Sequence, residues 1–252
     1  MPAEHIIKSY DEELARLNKM VVEMGGLAES QLADAIEAVV KRDSALAARV
    51  VEGDAPVDQL ERDLDNLAIR LLALRQPMAR DLREIFVALK IASDLERICD
   101  YAANVAKRSI ALSQAPPVQL VHALPRMAQF ALVLVKDVID AYVEHDADKA
   151  IAVWMRDEEL DEMYSSLFRE FLTYMMEDPR NIGPCTHLLF MAKNIERIGD
   201  HATNIAENLY YLVHGTPLRQ VRPKGDKSSL EVMAPDQSPG LAKSPHAKSP
   251  GR

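Results

Sequence analysis

Apolar residues recur at three- and four-residue steps along most of this chain, the period of an α-helix buried on one face. From about His5 to Arg42 the pattern runs through Leu14, Leu17, Met20, Val21, Met24, Leu27, Leu32, Ile36 and Val39 and predicts one long helix. Gly25 and Gly26 interrupt it and lower helix propensity there. A second helical stretch covers about Ser44 to Leu74. Gly53-Asp54-Ala55-Pro56 kinks or breaks it, with Asp54 as a cap for the second piece and Pro56 in its first turn. Gln76-Pro77 ends it, and a third helix follows from about Arg80 to Ser109. Ser113 to Val118, with Pro116-Pro117, reads as a linker. The order then repeats, with helices from about Leu124 to Glu144, Asp146 to Met176 and Cys185 to Leu212. Asp178-Pro179 and Gly183-Pro184 mark a loop before the last of these.

The third and sixth helices carry nearly the same sentence. Residues 95–106 read LERICDYAANVA and residues 195–206 read IERIGDHATNIA, identical at seven of twelve positions. Asp54-xxx-Asp58 opens the second helix of the first copy, and Asp157-xxx-Asp161 holds the same place in the second. A duplication of about 100 residues accounts for this. The expected architecture is all-α, with two tandem antiparallel three-helix bundles related by a pseudo-twofold axis. The first repeat spans 5–112 and the second 122–213. Residues 214–252 form a Ser/Pro-rich basic tail with little to bury, expected to be disordered.

The duplication draws attention to two acidic rows. Positions i, i+4 and i+8 form a slowly drifting line on a helix. Glu96, Asp100 and Asn104 make such a row, and so do Glu196, Asp200 and Asn204. The apolar stripes Ile91, Leu95, Ile98, Ala102, Val105 and Met191, Ile195, Ile198, Ala202, Ile205 lie about opposite, so both rows are expected to face away from the immediate core. One acid pair alone is ordinarily a solvated face. Here the pairs recur, and like charges at i, i+4 each cost roughly 0.2–0.5 kcal/mol. Arg97 and Arg197 offset part of that, and a multivalent cation would offset more. Carboxylate and amide oxygens are hard ligands, suited to magnesium, manganese, calcium or ferric iron, and zinc can occupy carboxylate sites too. His201 is an accessory candidate beside Asp200, whereas Cys99 reads as a small packed residue.

Composition narrows the function classes. The chain of 252 residues carries a net charge of −9. The tail from Arg219 has seven bases and three acids, a net of +4, which leaves −13 on residues 1–218. An acidic body disfavours DNA or RNA. Two cysteines, Cys99 and Cys185, do not make a disulfide framework and suit a reducing, cytoplasmic setting. Met1 to Tyr10 does not read as a signal peptide. No run approaches the ~18 apolar residues that span a bilayer. The chain has no Glu-x-x-His pair of the kind that di-iron bundles use, and no phosphate loop or nucleophile elbow, so an enzyme is not expected.

The segment KNIERIGDHATNIAEN at 193–208, its weaker copy LERICDYAANVA, and QPMARDLR at 76–83 together resemble the PhoU phosphate-signalling regulators. The resemblance covers about residues 5–213. It implies two three-helix bundles whose E(D)xxxD motifs hold metal, often iron or zinc, with magnesium or manganese as alternatives. Carried over by position, the ligands are Asp54, Asp58, Glu96 and Asp100, and Asp157, Asp161, Glu196 and Asp200. It also implies a homodimeric negative regulator linking a phosphate ABC transporter to a membrane sensor histidine kinase. Cys99 and Tyr101 depart from the family-like Gly199 and His201, so weaker or differently shaped metal binding is expected in the first copy. The alternative is a helical scaffold whose acids bind basic partners without metal; a carboxylate-bridged metal enzyme ranks below both.

Overall fold

Among the described residues the chain forms eight α-helices, the second helix of each expected repeat being split in two: α1 (Pro2–Lys41), α2 (Ser44–Glu52), α3 (Asp54–Arg75), α4 (Ala79–Ser113), α5 (Ala123–Glu144), α6 (Ala147–Met155), α7 (Asp157–Glu177) and α8 (Ile182–His214). A 3-10 turn at Pro179–Asn181 joins the last two. The structure, a computed structural model, describes residues 2–75, 77–115, 123–219 and 222. The expected Pro116-Pro117 linker and nearly all of the basic tail lie outside the described residues.

Each repeat is a three-helix bundle whose middle helix is broken in two. The first break follows the Gly53 signal, with Asp54 opening α3. The second falls at Arg156, where one helix was expected from Asp146 to Met176 and where no glycine or proline stands. Arg156 has φ −86° and ψ −4° and its N–H bonds Val153 O at 3.0 Å. The break recurs without its sequence signal. It therefore belongs to the packing, in which α6 and α7 each lie against α8 and α5.

The turns that precede these middle helices are also duplicated. Arg42 and His145 take positive φ, 54° and 51°. The next N–H reaches back five residues to close a Schellman-type turn, Asp43 to Ala38 O at 3.0 Å and Asp146 to Ala141 O at 2.9 Å. Asp43 then accepts from the N–H groups of Ala45 and Leu46, and Asp146 from those of Asp148 and Lys149, capping α2 and α6.

Most of the expected core residues are buried, while Leu14, Leu27 and Ile36 of the α1 stripe are only partly so. Leu17, Val21, Met24 and Leu32 of α1 and both apolar stripes of α4 and α8 are fully covered. Gly25 does not break α1. A Cβ there would lie 2.9 Å from Ile139 Cδ1, so its lack of a side chain admits α5. Likewise Gly183-Pro184, expected in a loop, falls in the first turn of α8, where proline loses no intrahelical bond.

The repeats meet through α4 against α8 and α1 against α5. α4 packs on α1, α2, α3 and α8, and α8 packs on α4, α5, α6 and α7. These two helices are therefore surrounded, and each buries more than one stripe. Ala88, Ala92, Cys99 and Ala106 are covered on α4 along with the predicted residues. Among the described residues no helix is long and apolar enough to cross a membrane.

Candidate cation sites on two acidic rows

In the first repeat the start of α3 brings Asp54 and Asp58 to the row on α4. Burial comes first among the causes that raise the Asp54 pKa, followed by the charges of Asp100 and Asp58. Glu96 is raised too, by burial first and then against Arg97, with Asp100, Glu61 and Asp58 adding repulsion. Arg97 lies over the row, 3.4 Å from Glu96 and 3.3 Å from Asp100. Arg62 stands 3.8 Å from Asp58. All four acids remain partly exposed, and Asn104 is half-buried beyond them. Burial first, and then the charges of these same carboxylates, push the Cys99 thiol far up.

The second repeat differs, and the expectation of outward-facing acids fails there. Asp157, Asp161 and Glu196 are only 1%, 4% and 5% exposed, with Asp200 half-buried beside them. The helical wheel placed the row opposite the apolar stripe but took no account of α7, which covers it. Glu196, Gly199 and Thr203, at i, i+3 and i+7, form a second buried stripe on α8. A Cβ on Gly199 would fall 2.2 Å from Leu160 Cδ2 of α7, so glycine permits the close approach. Thr203 Oγ1 lies 3.1 Å from Asp157 Oδ1 and 3.0 Å from Gly199 O.

This enclosure shapes the electrostatics. Lys193 donates to Glu196 Oε1 at 2.9 Å, but Glu196 Oε2 is buried without a hydrogen bond. Burial raises the Glu196 pKa to about 7; Asp200 and Asp161 add to the rise and Lys193 opposes it. A cation is present all the same: Arg222, beyond the end of α8, donates from Nε to Asp157 Oδ2 at 2.8 Å and from Nη2 to Asp200 Oδ1 at 2.6 Å.

The accessory candidates divide. His201 and Asn204 do not join the acidic site. They turn to the other repeat, where Asp94 Oδ1 lies 2.8 Å from His201 Nδ1 and 3.4 Å from Asn204 Nδ2. Arg197 lies over the Tyr101 ring, 5.6 Å from its centroid. Sequence reasoning missed Asp94, Thr203, Glu207 and Arg222. One signal was visible: Glu207 stands where the first copy has Lys107, so the second row is the more acidic.

The donor chemistry fits a hard cation: oxygen ligands, mutually repelling acids and one orphaned carboxylate oxygen. The side chains as they stand do not form a cage, because among the described residues no three His, Cys, Asp or Glu groups converge to hold an ion. Arginine side chains lie over the acids instead, so metal entry requires their displacement.

Comparison with known proteins places the chain in a family. The PhoU domain model matches twice, at residues 21–109 and 124–209. The phosphate-specific transport system accessory protein PhoU homolog of Caulobacter vibrioides is 54% identical over 88% of this chain and 97% of its own length. Its counterpart in Rhizobium meliloti is 52% identical over 91% and 97%. The crystal structure of PhoU from Pseudomonas aeruginosa superposes with a TM-score of 0.80 at 40% identity, covering 82% of this chain and all of that one. The Streptococcus pneumoniae phosphate transport system regulatory protein PhoU gives 0.78 at 29%, covering 84% and all of that chain. Two matched repeats on the expected duplicated bundle, with relatives this similar along nearly their whole length, make this chain a member of the PhoU family.

Proposed function

We propose that this chain is a non-catalytic, cytoplasmic negative regulator of phosphate uptake and of the phosphate-starvation response. In this reading it acts as a homodimer. It couples the ATPase subunit of a phosphate ABC transporter to a membrane sensor histidine kinase, which it holds off when phosphate is plentiful. The observation that carries the reading is the match of both repeats to relatives named for the phosphate-specific transport system. The test is removal of the gene from its host in phosphate-replete medium. Alkaline phosphatase should rise, and the full chain supplied in trans should return it to the repressed level; unchanged activity would sink the proposal.

The same reading assigns metal, iron or zinc first and magnesium or manganese as alternatives, to Asp54, Asp58, Glu96 and Asp100 and to Asp157, Asp161, Glu196 and Asp200. Metal bound there would order the acidic face that a partner reads. Protein purified without a metal-binding tag should carry near-stoichiometric metal, and the E196A/D200A variant about half. Metal-free protein after supplementation would favour the other reading, acids that dock basic partners directly. The Arg222 contact to Asp157 and Asp200 is the observation on that side.

A further inference from the structure

The second acidic site already holds a positive group, and the chain itself supplies it. Arg222 is 17% exposed and bridges two helices, with Asp157 on α7 and Asp200 on α8. Glu207, a third carboxylate, adds to the field that favours its charge. The bridge uses two nitrogens of the planar guanidinium, Nε and Nη2, a fork that a lysine ammonium cannot reproduce. Thr203 fixes the far oxygen of Asp157, so this carboxylate is oriented before the arginine meets it. Next to this bridge, Glu196 keeps one buried oxygen with no partner. The first site has a different arrangement. There the covering arginine, Arg97, lies on the same helix as Glu96 and Asp100, and its side chain is 54% exposed.

We propose that the second acidic site is a guanidinium-binding site whose resident ligand is Arg222, and that this built-in cation competes with any external cation for Asp157 and Asp200. The proposal rests on the metal reading above for the identity of the competitor. The two repeats then differ in kind. The first site takes a cation by displacing an exposed surface arginine. The second takes one only when the Arg222 side chain releases Asp157 and Asp200.

Two measurements on the full-length protein test this. The first is a double-mutant cycle on thermal unfolding in chelator, with R222A and D157N. Each change should lower Tm by about 2–4 °C, and the double variant should lose little more than the worse single one. Additive losses would overturn the bridge. The second is a titration with Mn²⁺ alone, followed through the fluorescence of Trp154, the chain's only tryptophan, whose Nε1 donates to Glu207 at 2.9 Å. R222A should bind at least about tenfold more tightly than the unaltered chain, with R222K between them. Equal binding by all three overturns the competition while the metal reading stands. If none binds Mn²⁺, the metal reading of this site fails and the competition falls with it, whatever the cycle shows.

Discussion

His201 Nδ1 lies 2.8 Å from Asp94 Oδ1, and this contact joins α8 of the second repeat to α4 of the first at the centre of the molecule. The imidazole also lies against the Tyr101 ring, with centroids 5.6 Å apart. The positions equivalent by duplication, 101 and 201, thus meet across the pseudo-twofold axis. Duplication placed one of the five positions at which the two copies differ in contact with its counterpart, at the interface of the repeats.

Loss of this contact should loosen the junction without emptying either acidic site. H201A or D94A is expected to destabilise the protein by roughly 1–2 kcal/mol, since each removes a partly buried polar contact between the repeats. A double-mutant cycle in urea checks it. The double variant should cost clearly less than the two single losses together.

Glu196 should make stability fall as pH rises. Its pKa is raised from 4.5 to about 7 in the fold, so the native state binds more protons than the unfolded chain between those values. Bound protons favour the fold below about pH 4.5, and that contribution is lost on the way to pH 7 and above. E196Q removes the group. In metal-free protein at pH 8, E196Q should exceed the unaltered chain in stability by up to about 3 kcal/mol, and the gap should shrink at pH 5. A gap that does not change between the two pH values would show that Glu196 is not held this way.

Gly199 should not tolerate a side chain. G199A sets a methyl against Leu160, and overpacking of this kind costs about 1–3 kcal/mol. Trimming the neighbour in G199A/L160A should recover part of the loss attributable to the clash, as read by urea midpoints. Simple additivity would place the cost elsewhere.

The duplicated caps should contribute alike. D43A and D146A each remove a carboxylate that accepts two backbone N–H groups, at a cost of about 1 kcal/mol. The low pKa of Asp43, set mainly by its bond from Leu46 N–H, means that this stabilisation is present at neutral pH and lost as pH falls through the carboxylate range. Thermal unfolding at pH 7 and at pH 3 should show a smaller D43A penalty at the lower pH.

Much of the molecule was legible before folding. The apolar period located the long helices, because burial on one face leaves a 3.6-residue trace in sequence. The repeated ERxxDxxxN pattern located both acidic rows. The break at Arg156 left no trace, since no glycine or proline marks it and packing against α8 and α5 sets it. The burial of Glu196 was misread for a related reason. A helical wheel ranks faces by their own residues, while α7 covers a face that is polar in sequence.

The sequence by itself determined the helices, the duplication and the charge carried by each row, since all three depend on residue types and their local spacing. Only the tertiary structure decided which row is enclosed, which histidine serves the repeat interface, and that an arginine from beyond the last helix sits among the acids. Those depend on which surfaces meet, and contacts such as Arg222 to Asp157, 65 residues apart, leave no periodic signal along the chain.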